Sequence, residues 1–377
     1  MKNFLSSVIT IIFLIATGLQ PVLAATNAEL EKRIAELEKK SQSGPKALGQ
    51  ITDRITLSGK IELDYSYTRD DNIADSSSNG SSSDLDVGTV ELGLEAVLHK
   101  YVTANLLLKG ENLDANANIF WDEAFFTIQK QGFPVYFVGG KRAQPFGLFE
   151  SQLINDPITC EMYEINKAGA TVGALLEPLG LDISATIYKG EVLIDKASGA
   201  GYGFIRDNTP GYKPADKVNS FIFNITMEPI ENLTIATYFN SETGDDDRNT
   251  TAGLSVHYEI AQFIIDGEYI TALNREKHFT DNKEYDESAW FFALGYQIID
   301  PLIAAVRYEG FNDDESGDQD GHLEYRLSLG ATYTIFSRES FACNFSLEYR
   351  KSAFERSSGS IADDDLDEFF AQLAIEF

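Results

Sequence analysis

The stretch ITLSGKIELDYSYT, Ile55 to Thr68, alternates between two kinds of side chain. The positions that begin with Ile55 are apolar or aromatic except for one glycine, whereas those that begin with Thr56 carry hydroxyl groups and charges such as Lys60 and Glu62. Successive side chains of a β-strand point to opposite faces of a sheet. The stretch therefore predicts a strand with one apolar face and one charged face, and it raises the question of which face meets water.

The alternation recurs to the end of the chain, in about sixteen segments of roughly 9–13 residues, the length that a tilted strand needs to cross a bilayer. The longest apolar row begins at Leu323 and continues through Tyr325 and Leu327. The last segment ends on Phe377, an ending that resembles the assembly signal of bacterial outer-membrane barrels.

The connections between these segments also alternate, between short turns such as Asp300-Pro301 and long polar loops such as Asp70 to Asp84 and Glu191 to Lys217. Outer-membrane barrels have tight periplasmic turns and long external loops, and only a closed barrel pairs every backbone N–H and C=O group of its strands within lipid. The sequence therefore predicts an all-β fold, a transmembrane antiparallel β-barrel of about 16 strands, over residues 53–377. A soluble sandwich or solenoid would leave the sorting of the loops unexplained.

The first residues predict the compartment. Lys2 and the apolar run from Val8 to Leu19, followed by small residues, form a secretory signal peptide over residues 1–24. Residues 25–41 have a heptad-like spacing and predict a periplasmic helical or coiled-coil segment, and residues 42–52 predict a linker. Two heptads are too few to associate alone, so the segment is either steadied by an oligomer, such as a homotrimer, or a loosely helical spacer. The expected location is the bacterial outer membrane.

The composition excludes several classes of protein. The chain has 59 acidic and 30 basic residues, a net charge of −29, and because nucleic-acid binding needs a basic surface, no nucleic-acid partner is expected. The two cysteines, Cys160 and Cys343, are too few for a disulfide scaffold. No serine, histidine and carboxylate grouping marks a catalytic site, so the chain is expected not to be an enzyme and to carry no cofactor.

The charged faces of the predicted strands would line a channel, because about sixteen strands enclose an aqueous lumen. The sign of the charge at the narrowest point decides which solutes pass. Each charge taken singly is more often solvated or paired than functional, so both roles stay open. The pore-lining or ligand-binding candidates are Lys60, Glu62, Lys109, Lys141, Arg142, Lys167, Arg307, Arg326 and Arg350.

The predicted external loop from Ala143 to Asn166 is unusually apolar. It begins at Pro145-Phe146-Gly147, where proline removes a backbone donor and glycine frees the backbone, and it continues through Asp156-Pro157. Because apolar residues in an external loop need burial, we hypothesise that this loop folds into the lumen and narrows the pore; packing over the barrel rim is the alternative. The cations expected near the resulting restriction are Lys141, Arg142 and Lys167.

The predicted external loops carry clusters of aspartates. Such clusters can hold Ca²⁺ or Mg²⁺ through oxygen ligands, here as a bridge to lipopolysaccharide phosphates, but a solvated acidic surface is the commoner explanation. The weak metal candidates are Asp245, Asp246, Asp247, Asp318 and Asp320.

Five stretches resemble one known family: LSGKIELDYSYT, GTVELGLEAVL, LLLKGENLDANANIFWDEAFFTI, GGKRAQPFGLFESQLINDPITCEM and the strand that ends on Phe377. In this order they resemble the LbtU-type siderophore porins, the family typified by the legiobactin receptor. The resemblance implies an outer-membrane barrel that imports an iron–siderophore complex without the plug domain of energy-coupled receptors.

Three functions stay open at this stage. The first is plug-free uptake of a ferric siderophore, in which a basic ring would meet a polycarboxylate-type ligand. The second is a general or anion/carboxylate-selective diffusion porin, expected as a trimer, and the third is a structural outer-membrane protein with an envelope-contacting N-terminus. The expected partners are outer-membrane lipid and lipopolysaccharide, with a small solute in the first two cases. The residues considered for the basic ring are Arg142, Arg307, Arg326 and Arg350.

Overall fold

The computed structural model describes residues 54–72, 80–113, 118–203, 205–206, 210–213, 216–244, 247–313, 322–338, 340–354 and 364–377. The chain divides into two units at Thr56, and the second unit, Leu57–Phe377, holds the barrel. The predicted signal peptide, heptad segment and linker lie outside the described residues.

Within that part of the chain, sixteen β-strands form one closed sheet in which chain neighbours pair and β1 pairs with β16. This confirms the predicted antiparallel barrel. The strands are β1 Ile55–Asn72, β2 Gly80–His99, β3 Val102–Glu111, β4 Asn118–Gln129, β5 Val135–Ala143, β6 Asn166–Leu176, β7 Leu181–Lys189, β8 Val218–Ile230, β9 Leu233–Thr243, β10 Arg248–Ile260, β11 Phe263–Asn274, β12 Ser288–Ile299, β13 Leu302–Asn312, β14 Leu323–Arg338, β15 Phe341–Phe354 and β16 Asp364–Glu376.

Two short α-helices interrupt the long connections, α1 Ile158–Tyr163 between β5 and β6 and α2 Val192–Ala200 between β7 and β8. A 3-10 turn, Glu177–Leu179, joins β6 to β7. Among the described residues, no helix is long and apolar enough to cross a membrane.

The first and last strands close the barrel. Ile61 lies opposite Ile375 and Leu63 opposite Leu373 in an antiparallel register, and the Phe377 backbone N–H donates to the Gly59 carbonyl at 3.0 Å. Closure leaves no strand edge whose backbone groups lack partners, which is the condition for a sheet that crosses lipid.

The two faces of β1 answer the question posed by its sequence. The apolar side chains of Ile61 and Leu63 are 46% and 42% exposed, whereas the carboxylate-bearing Glu62 between them is 7% exposed. A soluble protein buries the first kind and exposes the second. The inversion matches a wall whose outside meets hydrocarbon and whose inside is polar.

Long and short connections lie at opposite ends of the barrel, as the sequence predicts. The first loop is shorter than the predicted span Asp70 to Asp84, because β1 and β2 are 18 and 20 residues long and extend beyond the thickness of a bilayer. We call the end with the short connections the turn end and the other the loop end.

One apolar residue departs from the predicted row. Leu323 was expected on the outer face with Tyr325, but the register shifts between these two residues where β14 pairs with β15. Such a bulge re-aims the side chains beyond it. Leu323 is completely buried, inside the barrel.

Gly140 provides a test of the β4–β5 pairing. Its φ is +133°, and a Cβ atom there would lie 2.3 Å from the Ala124 carbonyl oxygen and 2.5 Å from the Phe125 Cα. We expect Gly140→Ala to lower the free energy of unfolding by at least about 2 kcal/mol, since both the backbone conformation and the contact with main-chain atoms are unfavourable. The measurement is the urea midpoint for loss of the folded electrophoretic form in lipid.

Gly139→Ala is the matched control. A Cβ atom at Gly139 would meet only the ring ends of Phe126 and Phe137, at 3.0 Å, and rings can shift. Equal midpoints for the two variants would contradict the backbone explanation.

Candidate functional site: a lumen divided by an inward loop

Residues 144–165, here called the inward loop, lie inside the barrel against the wall formed by β11 to β15. The Asn155 backbone N–H donates to Glu348 of β15 at 2.9 Å. The Ile158 backbone N–H donates to Glu309 of β13 at 2.6 Å. These contacts join the loop to inward-facing wall carboxylates, so the loop occupies lumen space and does not pack over the rim.

Arg307 of β13 binds the main chain of the inward loop. Its guanidinium donates to the Asn155 carbonyl at 2.8 Å and to the Asp156 carbonyl at 3.0 Å, while its Nε lies 3.0 Å from Glu309. Both Arg307 and Glu309 are fully buried. A buried ion pair of this kind needs additional hydrogen bonds to offset its desolvation, and the loop supplies them.

Arg326 and Arg350 hold the middle of the inward loop through one carboxylate. Glu161 of α1 lies 3.2 Å from Arg326 and 3.7 Å from Arg350. Arg350 also pairs with Glu368 at 2.6 Å. The three arginines expected in a ligand-binding basic ring therefore anchor the loop. This corrects the expectation that they are free to meet a solute.

Wall carboxylates also cap both helices. Neither helix has a side-chain cap on its own N-terminal residue, Pro157 for α1 and Glu191 for α2. Glu309 accepts a hydrogen bond from the first backbone N–H group of α1. Glu242 of β9 accepts hydrogen bonds from the backbone N–H groups of Leu193 and Ile194 in α2, at 2.9 and 3.0 Å. The first N–H groups of a helix have no intrahelical partner and attract negative charge, so each carboxylate fixes one helix to the wall.

An apolar core fills the lumen beside these anchors. It joins α2 and the inward loop to the inner faces of wall strands between β7 and β14. Sequence reasoning missed α2, which lies in a span predicted as a polar loop; its only local signal is the apolar run Val192-Leu193-Ile194. The fully or nearly fully buried members are Phe146, Ile158, Met162, Tyr163, Ile165, Tyr188, Leu193, Ile194, Ala197, Ile205, Ile222, Ala236, Tyr238, Ile270, Ala289, Phe311 and Leu323.

The Pro145-Phe146-Gly147 break turns the chain from the wall into the lumen. Phe146 is completely buried and packs edge-on against Tyr238, with 4.8 Å between ring centroids. Gly147 has φ +90°, and the Phe149 ring occupies the space that a side chain there would need. A residue with a Cβ would be both strained and obstructed at that position.

Asp156-Pro157 precedes α1. Burial raises the pKa of the Asp156 carboxyl, and the neighbouring carboxylates of Glu164 and Glu161 add to the rise. Pro157 is the residue at the N-terminal boundary of α1, with an extended backbone conformation. Both residues therefore belong to the start of the helix that meets the wall.

An open passage remains between the inward loop and the opposite wall. A cavity of about 460 Å³ is bounded by Pro145, Gly147 and Leu148 on the loop side. Leu175 and two polar residues of β4 also line a second cavity, of about 670 Å³, at the turn end. The shared lining shows that the two cavities are neighbours along β4 and β6. The polar groups that β5, β7 and β8 contribute to the first cavity are Tyr136, Arg142, Asp182, Ser184, Asn224 and Thr226.

The three cations expected near the restriction do not share one face. Arg142 lines the passage, with its guanidinium 5.7 Å from the centroid of the Phe125 ring. Lys167 lies opposite Arg142 in the β5–β6 register and therefore on the same face. Lys141 precedes Arg142 in β5 and so faces outward, where its ammonium donates to the Trp121 carbonyl at 2.7 Å. The expected place of Lys141 at the restriction is thus corrected.

The remaining lumen candidates are paired within their own strands. Lys60 and Glu62 of β1 lie 2.5 Å apart, and Lys109 and Glu111 of β3 lie 2.9 Å apart. Residues two apart in a strand share a face, so each pair places one positive and one negative charge at the same point of the wall.

Most of the aspartates considered for metal binding are not among the residues that the structure describes. Asp245, Asp246, Asp318 and Asp320 lie outside the described residues, and Asp247 is exposed, with a carboxylate oxygen that accepts the Arg248 backbone N–H. In the described part of the chain, no three histidine, cysteine or acidic side chains are arranged to hold a metal ion.

Solved structures share this architecture. The outer membrane channel DcaP of Acinetobacter baumannii aligns with a TM-score of 0.62 and 12% identity, over 85% of this chain and 96% of that one. An anion-selective porin from Comamonas acidovorans aligns at 0.59 and 10%, over 86% and 99%. Salmonella typhi OmpF aligns at 0.56 and 12%, over 86% and 97%. The likeness shows a porin-type barrel fold. No protein-family model and no curated protein matches the sequence.

Removal of the Arg307 side chain tests the anchoring of the inward loop. Arg307→Ala leaves Glu309 buried without its cation, a loss that typically costs about 3–5 kcal/mol, and it removes the donors to the loop main chain. We expect a larger single-channel conductance and faster chymotrypsin cleavage at Phe149.

Lys60→Ala is the control for that variant, because Lys60 also faces the lumen but pairs only along β1. A partly exposed pair contributes at most about 1 kcal/mol, so loop cleavage should match the unmodified protein. Equal cleavage of the Arg307 and Lys60 variants would contradict the anchoring role.

The charge state of Glu161 predicts a pH dependence. Burial alone would raise the pKa of this carboxyl, but Arg326, the Tyr202 hydroxyl and Arg350 together hold it below the usual 4.5. A depressed pKa stabilises the folded form above the unfolded value, and this contribution is lost as pH falls through the folded pKa. We expect the contribution of Glu161 to appear as an acid transition of the conductance below about pH 4.5.

The Glu161→Gln variant separates this effect from other groups. It cannot titrate at the anchor, so its conductance should differ already at neutral pH and should lack the acid transition. Protonation of Asp156 has the opposite effect on stability, because its pKa is raised and the neutral carboxyl group is less costly to bury than the charged one. An acid transition of equal size in the variant would show that Glu161 is not its cause.

Proposed function

We propose that the protein is a plug-free diffusion channel of the bacterial outer membrane. One observation carries the proposal: beside the apolar core formed by the inward loop and α2, polar residues of β4, β5, β7 and β8 line an open cavity within the barrel. A structural barrel has no need of a polar cavity in its lumen, whereas a solute path is lined with charged and hydrogen-bonding groups.

A ferric siderophore is the solute we propose first. The resemblance to siderophore porins supports it. Arg142 lines the passage, and Lys167 lies opposite Arg142 in the register of the neighbouring strand β6. Because Arg307, Arg326 and Arg350 are engaged with the loop, recognition would depend on these two cations and on neutral polar groups. Such a site would admit a ligand of modest negative charge.

The second candidate is a general or anion-selective diffusion porin. The unpaired charge of Arg142 supports it, as does the structural likeness to a protein described as an anion-selective porin. Assembly as a homotrimer, with contacts to outer-membrane lipid and lipopolysaccharide, belongs to both proposals. A structural role for the N-terminal heptads is a further alternative, to be tested by the oligomer mass after deletion of residues 25–40.

Planar-bilayer recording of the full-length protein tests the proposal. We expect discrete conductance steps in KCl and reversible block by a ferric siderophore at micromolar concentration. Steps without such block would favour the general porin, while protein that is folded in the bilayer but never conducts would overturn the channel proposal.

A further inference from the structure

Arg142 differs from the other arginines that face the lumen. Among the described residues, neither Arg142 nor Lys167 has a carboxylate within ion-pair distance, although the chain carries 59 acidic residues. A neutralised cation serves structure, whereas an unpaired one at a constriction attracts anions. The predicted pore-lining cations that do have such a partner are Lys60, Lys109, Arg307, Arg326 and Arg350.

The Arg142 guanidinium has no carboxylate within ion-pair distance, although Glu123 and Asp182 interact with it electrostatically at longer range. The group lies over the Phe125 ring, and its Nε atom is buried with no hydrogen-bond partner among the described residues. A guanidinium is weakly hydrated, stacks on aromatic rings and matches a carboxylate through two parallel hydrogen bonds. Because Arg142 lines the cavity, the Nη atoms of its guanidinium are the donors that an entering anion meets.

Neutral polar groups of the same cavity complete the environment. The Tyr136 hydroxyl donates to the Asp182 carboxylate, whose two oxygens both lie 3.0 Å away. Thr226 donates to the Asn224 Oδ1 at 3.0 Å, so the side-chain amide group of Asn224 is the part that can donate to a ligand. Hydroxyl groups of a ligand can exchange hydrogen bonds with such amides.

We propose that the passage contains a binding site for small hydroxycarboxylates, in which Arg142 binds a carboxylate and Asn224 a hydroxyl group. Lys167, across from Arg142, adds positive charge at the loop end of the site. This inference rests on the proposed channel function and names the class of solute that the channel selects.

Block of the full-length channel by citrate tests the site, with propane-1,2,3-tricarboxylate as the probe that has the same three carboxylates and no hydroxyl. Citrate blocks at the lower concentration. Arg142→Gln raises the half-blocking concentration of both probes about tenfold or more, the value of one charge-assisted hydrogen bond. It also shifts the reversal potential in a KCl gradient toward cations. Asn224→Ala raises the half-blocking concentration of citrate alone.

Two further variants keep the test decisive. Arg142→Lys preserves the charge and the reversal potential but weakens citrate block, because an ammonium cannot bind a carboxylate through two parallel bonds. Lys141→Gln removes the adjacent cation, which faces outward, and leaves block and reversal potential unchanged.

The outcomes separate the two proposals. Conducting channels that citrate does not block, or whose block Arg142→Gln leaves within about twofold, overturn the site and leave the channel function standing. Equal block by citrate and its deoxy analogue overturns the hydroxyl contact. Absence of conductance from every folded variant overturns the channel function itself.

Discussion

The arrangement inside this barrel depends on carboxylates that are buried in its wall and must be satisfied there. Glu242, Glu268, Glu309 and Glu348 are all almost fully buried on inward-facing strand positions. Without hydrogen-bond donors, buried carboxylates of this kind are strongly unfavourable. The donors come from backbone N–H groups of the inward loop and α2. The wall and the loops thus depend on each other, because the loops supply donors to these acids, and two of the acids, Glu242 and Glu309, also cap the helices.

This mutual requirement explains why the passage lies on one side of the lumen. The accepting carboxylates are on β9, β11, β13 and β15, and the apolar core beside the loops reaches from there to Tyr188 of β7 and Ile222 of β8. The inner face of β4 to β8 supplies none of these four acids, and there the cavity remains open. The position of the passage follows from the distribution of buried acids around the barrel.

Strand periodicity made the barrel predictable, since Ile61, Glu62 and Leu63 already show the inversion of burial in their order along the chain. The apolar inward loop was equally readable, because Phe146 and its neighbours need burial. The same two-residue period places Lys141 and Arg142 on opposite faces of β5, because adjacent residues of a strand point in opposite directions. By contrast, Leu323 departs from the pattern at a bulge, and one sequence does not show such a shift in register.

The sequence does not show which side chains of the site pair with residues far away in the chain. Nothing in the sequence around Arg307 indicates that its guanidinium donates to the carbonyl groups of Asn155 and Asp156, some 150 residues earlier in the chain. Nothing local to Arg142 indicates that it lacks such a partner. Overall charge is no guide either, since −29 is a sum over the whole chain, including the predicted external loops. A solute in the passage responds to the charges within a Debye length of about 8–10 Å, so Arg142 and the nearby carboxylates of Asp182 and Glu123 matter more to it than the total charge of the protein.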